Sequence, residues 1–181
     1  MKNILFIITL LLSSSLLHGQ SQPIPISLAY FSQVGIEPGL KISAELPIKA
    51  LESEAKNKQL FVSPQIGFFV RPNHHTNVLL MGDIGIKKQK EGKSAFSTFS
   101  LGLGYWYQSQ IQSLTVQLGD GSQSQNRTNN HYFLPTINYS FGSKLIANSN
   151  WYSKIGVGQR FGGSASSTTT VLLELGLQFS F

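Results

Sequence analysis

Thr170-Val171-Leu172-Leu173-Glu174-Leu175-Gly176-Leu177-Gln178-Phe179-Ser180-Phe181 closes the chain, and its reading decides the fold. Val171, Leu173, Leu175, Leu177, Phe179 and Phe181 are all apolar. Leu172, Glu174, Gly176, Gln178 and Ser180 between them are mostly polar or small. Successive side chains of a strand point to opposite faces, so this period of two describes a strand with one greasy face and one wet face.

The same alternation recurs upstream, punctuated by turn residues, while helical spacing is poorly sustained. Strands are expected over Ile24–Gln33, Leu40–Lys49, Gln59–Arg71, Asn77–Lys88, Ala95–Ser109, His131–Gly142 and Asn150–Phe161, with the terminal segment as the eighth. Ile111–Leu118 can continue the fifth strand. Pro64 lacks a ladder donor, so a bulge or a weak pairing is expected there. The charged stretch Leu51–Lys58 reads as a link, with Ala50–Asn57 the one candidate for a helical or irregular insertion. Gly119–Asn130, rich in Gly, Ser, Gln and Asn, reads as the longest loop.

Composition narrows the class. The chain has 181 residues, which allows one domain, and only 12% of them are charged. It has no cysteine, which excludes disulfides, zinc–thiolate sites and an N-terminal lipid anchor. Residues 1–19 read as a secretory signal: Lys2 makes a positive start, Ile4–Leu12 a short apolar core, and Ser13, Ser14, Ser15 and Gly19 the small residues before a cut. Residues 20–181 then form the mature domain. The net charge of +6 is scattered, and an exported chain does not meet a genome, so nucleic acid is not an expected partner. Lys87–Lys93 reads as a solvated turn, with a patch for anionic lipid headgroups as the alternative.

A closed barrel follows if the greasy face meets lipid, because each unpaired backbone group in hydrocarbon costs several kcal/mol. Eight is an even count, and most segments have the length a tilted strand needs to cross a bilayer. Aromatics gather near strand ends, as at Tyr105, Tyr107, Tyr139, Phe141 and Trp151. A soluble sandwich or a lipocalin-like barrel also alternates. The other face separates them: it carries Lys41, Glu45, Arg71, Asp83, Lys154, Arg160 and Glu174, both signs in similar number. That suits a paired charge network in a narrow lumen. Gly67, Gly85, Gly102, Gly104, Gly156, Gly158 and Gly176 leave room for the long side chains opposite. Eight strands enclose an interior that side chains can fill, so a filled polar interior without an open channel is expected.

The terminal L-E-L-G-L-Q-F-S-F and the repeated alternation resemble the small eight-stranded outer-membrane barrels of the OmpA/OmpX type, over nearly the whole mature length. The resemblance implies an all-β, antiparallel, up-and-down transmembrane barrel in the outer membrane of a Gram-negative cell. It implies Phe179 and Phe181 as the insertion signal for the barrel-insertion machinery, and outer-membrane lipid and lipopolysaccharide as surroundings. A monomer without cofactor or metal is expected. With the termini in the periplasm, Gln33–Gly39, Pro72–Asn77, Gly119–Asn130 and Gly162–Ser167 become outer loops.

Chemistry has one candidate. Some eight-stranded barrels are lipid A deacylases or palmitoyltransferases, and the deacylase family uses His-x-Ser-Asn. His74-His75-Thr76-Asn77 resembles it, with Thr76 in place of the serine and no carboxylate neighbour in view. A histidine beside a hydroxyl could activate it for acyl transfer. The competing reading is a polar hairpin tip. His74 and His75 are adjacent and so make a poor metal pair. The expected role is non-enzymatic, envelope-structural or surface-interacting, with a lipid A-modifying enzyme as the alternative.

Overall fold

The structure, a computed structural model, describes residues 23–33, 37–51, 56–71, 74–90, 92–116, 123–163 and 167–180. The expected signal segment and Phe181 lie outside the described residues. Every element is a strand: β1 (Pro25–Gln33), β2 (Glu37–Ala44), β3 (Leu46–Leu51), β4 (Lys56–Arg71), β5 (His75–Lys90), β6 (Ala95–Val116), β7 (Gln123–Ile146), β8 (Ser149–Gly162) and β9 (Thr168–Ser180). All pairings are antiparallel between neighbours, and β1 pairs β9 from Pro25 opposite Ser180 to Gln33 opposite Leu172. The sheet therefore closes on itself. β2 and β3 both pair with β4 and form one interrupted wall strand, so nine segments make eight walls.

The interruption has a chemical cause in Pro64. β2 pairs β4 down to Ser43 opposite Gln65, and β3 resumes at Leu46 opposite Val62 in the same register. The missing rungs face Ser63 and Pro64, and proline has no N–H to give. On its other side Pro64 stays in register opposite Gly82. Pro64 thus weakens one ladder without a bulge. The register shift in this wall falls between Pro47 and Lys49 instead.

Two other expectations change. Of the expected loop Gly119–Asn130, residues from Gln123 onward are strand, paired to β6 from Val116 opposite Gln123 down. The backbone ladder to β6 supplies the bonds that make this polar stretch a strand. Leu51 pairs with Lys58, so strand also takes both flanks of the charged link. Among the described residues there is no helix. The β6–β7 hairpin outruns its neighbours: β5 leaves β6 at Gln110, and β8 leaves β7 at Tyr132.

The outer wall is apolar along every strand. Leu28, Tyr30, Leu40, Ile66, Phe68, Leu101, Leu103, Ile137, Val157 and Leu175 are all exposed. Tyr30, Phe68, Tyr105, Tyr107 and Phe133 gather toward the rim away from Pro25 and Ser180; Phe141 and Trp151, ring centroids 5.8 Å apart, gather toward the opposite rim, where β1 begins and β9 ends. A continuous exposed apolar girdle of this size is far beyond what a monomer in water shows. The inner wall depends on glycine where strands carry bulky neighbours. A Cβ at Gly102 would strike Thr136 and Asp83, and one at Gly176 would lie 2.7 Å from the Tyr152 ring. A Cβ at Gly82 would meet nothing within 4 Å. Gly102→Ala is therefore expected to cost about 1–3 kcal/mol through overpacking, whereas Gly82→Ala stays near neutral. Urea unfolding of the two variants checks this; equal midpoints would contradict it.

Candidate functional site

The lumen holds the charged chemistry, arranged in levels. At mid-height Lys41 of β2 and Glu174 of β9 form an ion pair, and both are buried. Lys41 also donates to Gln65 Oε1 at 2.7 Å, and the Tyr152 hydroxyl donates to Glu174 Oε1 at 2.5 Å. Beside them Lys154 of β8 donates to Asp83 Oδ2 of β5 at 2.6 Å. Ser100 and Asn138 donate to the same oxygen, each at 3.3 Å. Such charge-assisted bonds are the strong ones, and in a buried lumen a charge that loses its partner is costly.

Nearer the chain ends Lys87 donates to Glu45 Oε1 at 2.8 Å and to Gln178 Oε1 at 3.2 Å, and stands 4.6 Å from the Phe96 ring centroid. A cavity of about 50 Å³ lies between these two levels, lined among others by Ser43, Ser63, Asp83, Asn138, Lys154 and Glu174. It has room for about four waters at the volume a buried water needs. Asp83 Oδ1 and Asn138 Oδ1 have no hydrogen-bond partner among the described residues. They press on Gly102 and Gly156, where a Cβ would collide with them.

Above the ion pairs the lumen turns apolar. Phe31, Phe69, Leu79, Met81, Trp106, Leu134 and Leu172 form one buried cluster. Phe69 meets Phe31 edge-on at 5.4 Å and Trp106 edge-on at 4.9 Å. The Trp106 indole N–H donates to Asn77 Oδ1 at 3.0 Å. Arg160 lies over this plug, its guanidinium 4.9 Å from the Trp106 ring and 5.3 Å from Tyr132. The interior is thus filled, but its far half is filled by an aromatic and aliphatic plug. That corrects the expectation of a polar interior throughout.

The expected charge set divides accordingly. Lys41, Glu174, Asp83, Lys154 and Glu45 face the lumen and are engaged there. Arg160 is in the lumen but stacks on rings. Arg71 has the inward parity but closes β4 at its last rung, opposite His75, exposed at the far rim and away from the network. Lys87, expected in a solvated turn, is a lumen residue, since it shares the odd parity of Asp83 along β5. Glu37, expected in a turn, opens β2, is buried, and takes His75 Nε2 at 3.0 Å. Tyr152, Gln65 and Asn138 are uncharged partners whose role depends on register across walls.

The His-x-Thr-Asn stretch comes apart in the structure. His74 is an exposed turn residue. His75 turns to Glu37, Thr76 is the next residue along the strand and so faces the other way, and Asn77 is buried against Trp106. Among the described residues no cluster of His, Asp and Glu could hold a metal ion. Phe179 lies on the outer wall opposite Ile26 and Ser149.

No protein-family model matches the chain, and no curated protein does either. Solved structures do resemble it. The outer membrane enzyme PagL superposes with a TM-score of 0.58 at 12% identity, covering 87% of this chain and 99% of that one. Neisserial surface protein A superposes with a TM-score of 0.52 at 12% identity, covering 87% and 94%. The closed wall of eight antiparallel strands, with its apolar exterior and plugged lumen, is the fold of the small outer-membrane β-barrels.

Proposed function

We propose that the chain is an integral outer-membrane barrel with a sealed lumen and a non-enzymatic role, either in envelope structure or in surface interaction at its far rim. The observation that carries this is the pairing of a wholly apolar outer girdle with a lumen blocked by the Phe31, Phe69, Trp106 and Leu134 plug. A lipid-filled exterior and a filled interior leave the two rims as the surfaces open to partners. The β6–β7 hairpin, which outruns its neighbours, is the largest of these. The dispersal of His74, His75 and Thr76 supports the non-enzymatic reading.

The test is mass spectrometry of lipid A from cells with and without the chain, beside a His74→Ala, His75→Ala double variant. Identical masses are the expected result. A mass shift by one acyl group that the double variant abolishes would establish a lipid A-modifying enzyme instead. Planar-bilayer recording is expected to show no steady openings from the purified protein, and a stable conductance would contradict the sealed lumen.

A further inference from the structure

We propose that the outer wall of β4 and β5, at the rim where β1 begins and β9 ends, binds the phosphate headgroups of anionic phospholipids. This rests on the membrane reading above. In the β4–β5 ladder Lys58 stands directly opposite Lys88, and Lys56 directly opposite Lys90. Lys49 of β3 stands opposite Leu60, beside the same column. Even positions of both strands, Leu60 to Phe68 and Val78 to Ile86, make the outer apolar wall. Lys58 and Lys88 continue that face just past the girdle, and Lys49 and Lys88 are exposed.

Like charges set directly opposite across a ladder destabilise it. The carboxylates that could relieve them are elsewhere: Glu37, Glu45, Asp83 and Glu174, all four described acids, belong to the lumen. Neighbouring Lys87 already has Glu45. Glu52, Glu54 and Glu91, the acids nearest these lysines in the sequence, lie outside the described residues. Against those three the rim carries Lys49, Lys56, Lys58, Lys88, Lys90, Lys93 and Lys144, so it stays positive. An anion shared between facing lysines turns the repulsion into attraction. The depth selects its kind. A lysine just beyond an apolar girdle lays its stem on the hydrocarbon edge and holds its ammonium among headgroups. A phosphodiester fixed to acyl chains is delivered to that level.

The experiment inserts the full chain into phosphatidylcholine bilayers with and without phosphatidylglycerol, and counts retained lipids by native mass spectrometry. The wild type is expected to retain phosphatidylglycerol over phosphatidylcholine by on the order of tenfold. Lys49→Gln, Lys58→Gln, Lys88→Gln together should bring retention close to parity, with the same heat-modifiable band on gels. Lys58→Arg with Lys88→Arg keeps the charge and should keep the preference. A wild type without preference, or a triple variant that retains it, overturns the proposal. Displacement by inorganic phosphate at equal concentration overturns the lipid assignment in favour of a free-anion site. A wild type that yields no heat-modifiable form in either bilayer sinks the membrane reading itself, a failure distinct from lost selectivity.

Discussion

Glu174→Ala is expected to lower the stability of the barrel by about 3–5 kcal/mol, the cost of leaving a buried charge without its partner. Glu174 lies on β9, where β8 and β1 are both paired, and its carboxylate gathers Lys41 and the Tyr152 hydroxyl. Without it, Lys41 keeps only Gln65 as a hydrogen-bond acceptor, buried beside a cavity of about 50 Å³, and Tyr152 loses its acceptor. The pair as a whole is worth far less than its breakage costs, because both ions were desolvated to make it. Lys41→Met with Glu174→Leu should therefore recover most of the loss. Urea unfolding in lipid vesicles, followed by tryptophan fluorescence, gives both values. An unchanged midpoint for the single variant, or a double variant as weak as the sum of its parts, would contradict this pairing.

Trp106→Ala is expected to cost a similar amount, about 3–5 kcal/mol, for a different reason. The ring is fully buried and sits at the meeting point of the plug. Removing it takes the edge-on contact from Phe69, the platform from Arg160 and the donor from Asn77. The walls around it are backbone ladders that cannot collapse inward, so the cavity persists. Trp106→Phe keeps most of the hydrophobic volume but not the N–H and should lose roughly 1–3 kcal/mol, the range for a buried polar group left unsatisfied plus a smaller cavity. Equal stability of Trp106→Ala and wild type would show that the plug does not hold the far half together.

The outer face was legible residue by residue because it obeys a local rule. Period two along one strand needs no knowledge of any other, and it placed Leu101, Ile137, Leu175 and their neighbours on the lipid side. The lumen is not local. Phe61, Phe69, Trp106 and Leu172 all show inward parity in the sequence, but only register across walls decides that Phe31 from β1, Phe69 from β4, Trp106 from β6 and Leu172 from β9 meet at one height. Parity alone also cannot say at what height a residue sits, which is why Arg71 reads as a network member and stands outside it, on the last rung of β4 at the far rim. Lys87 is the reverse case: a run of lysines looks like a turn, yet its odd position puts it across from Glu45. The Gln- and Asn-rich stretch after Gln123 misleads for a related reason. Polar composition reads as a loop, yet a polar stretch can still form a backbone ladder, as it does here with β6.

The central claim is that the odd-numbered face of β9 meets lipid. Nitroxide labels placed one at a time from Val171 to Phe179, in the protein inserted into vesicles, test it through power-saturation measurements with oxygen and with a water-soluble nickel chelate. The barrel proposed here predicts oxygen accessibility that peaks at 171, 173, 175 and 177, and a chelate that reaches none of them. Chelate access at those positions, as on the outside of a soluble barrel, would contradict it.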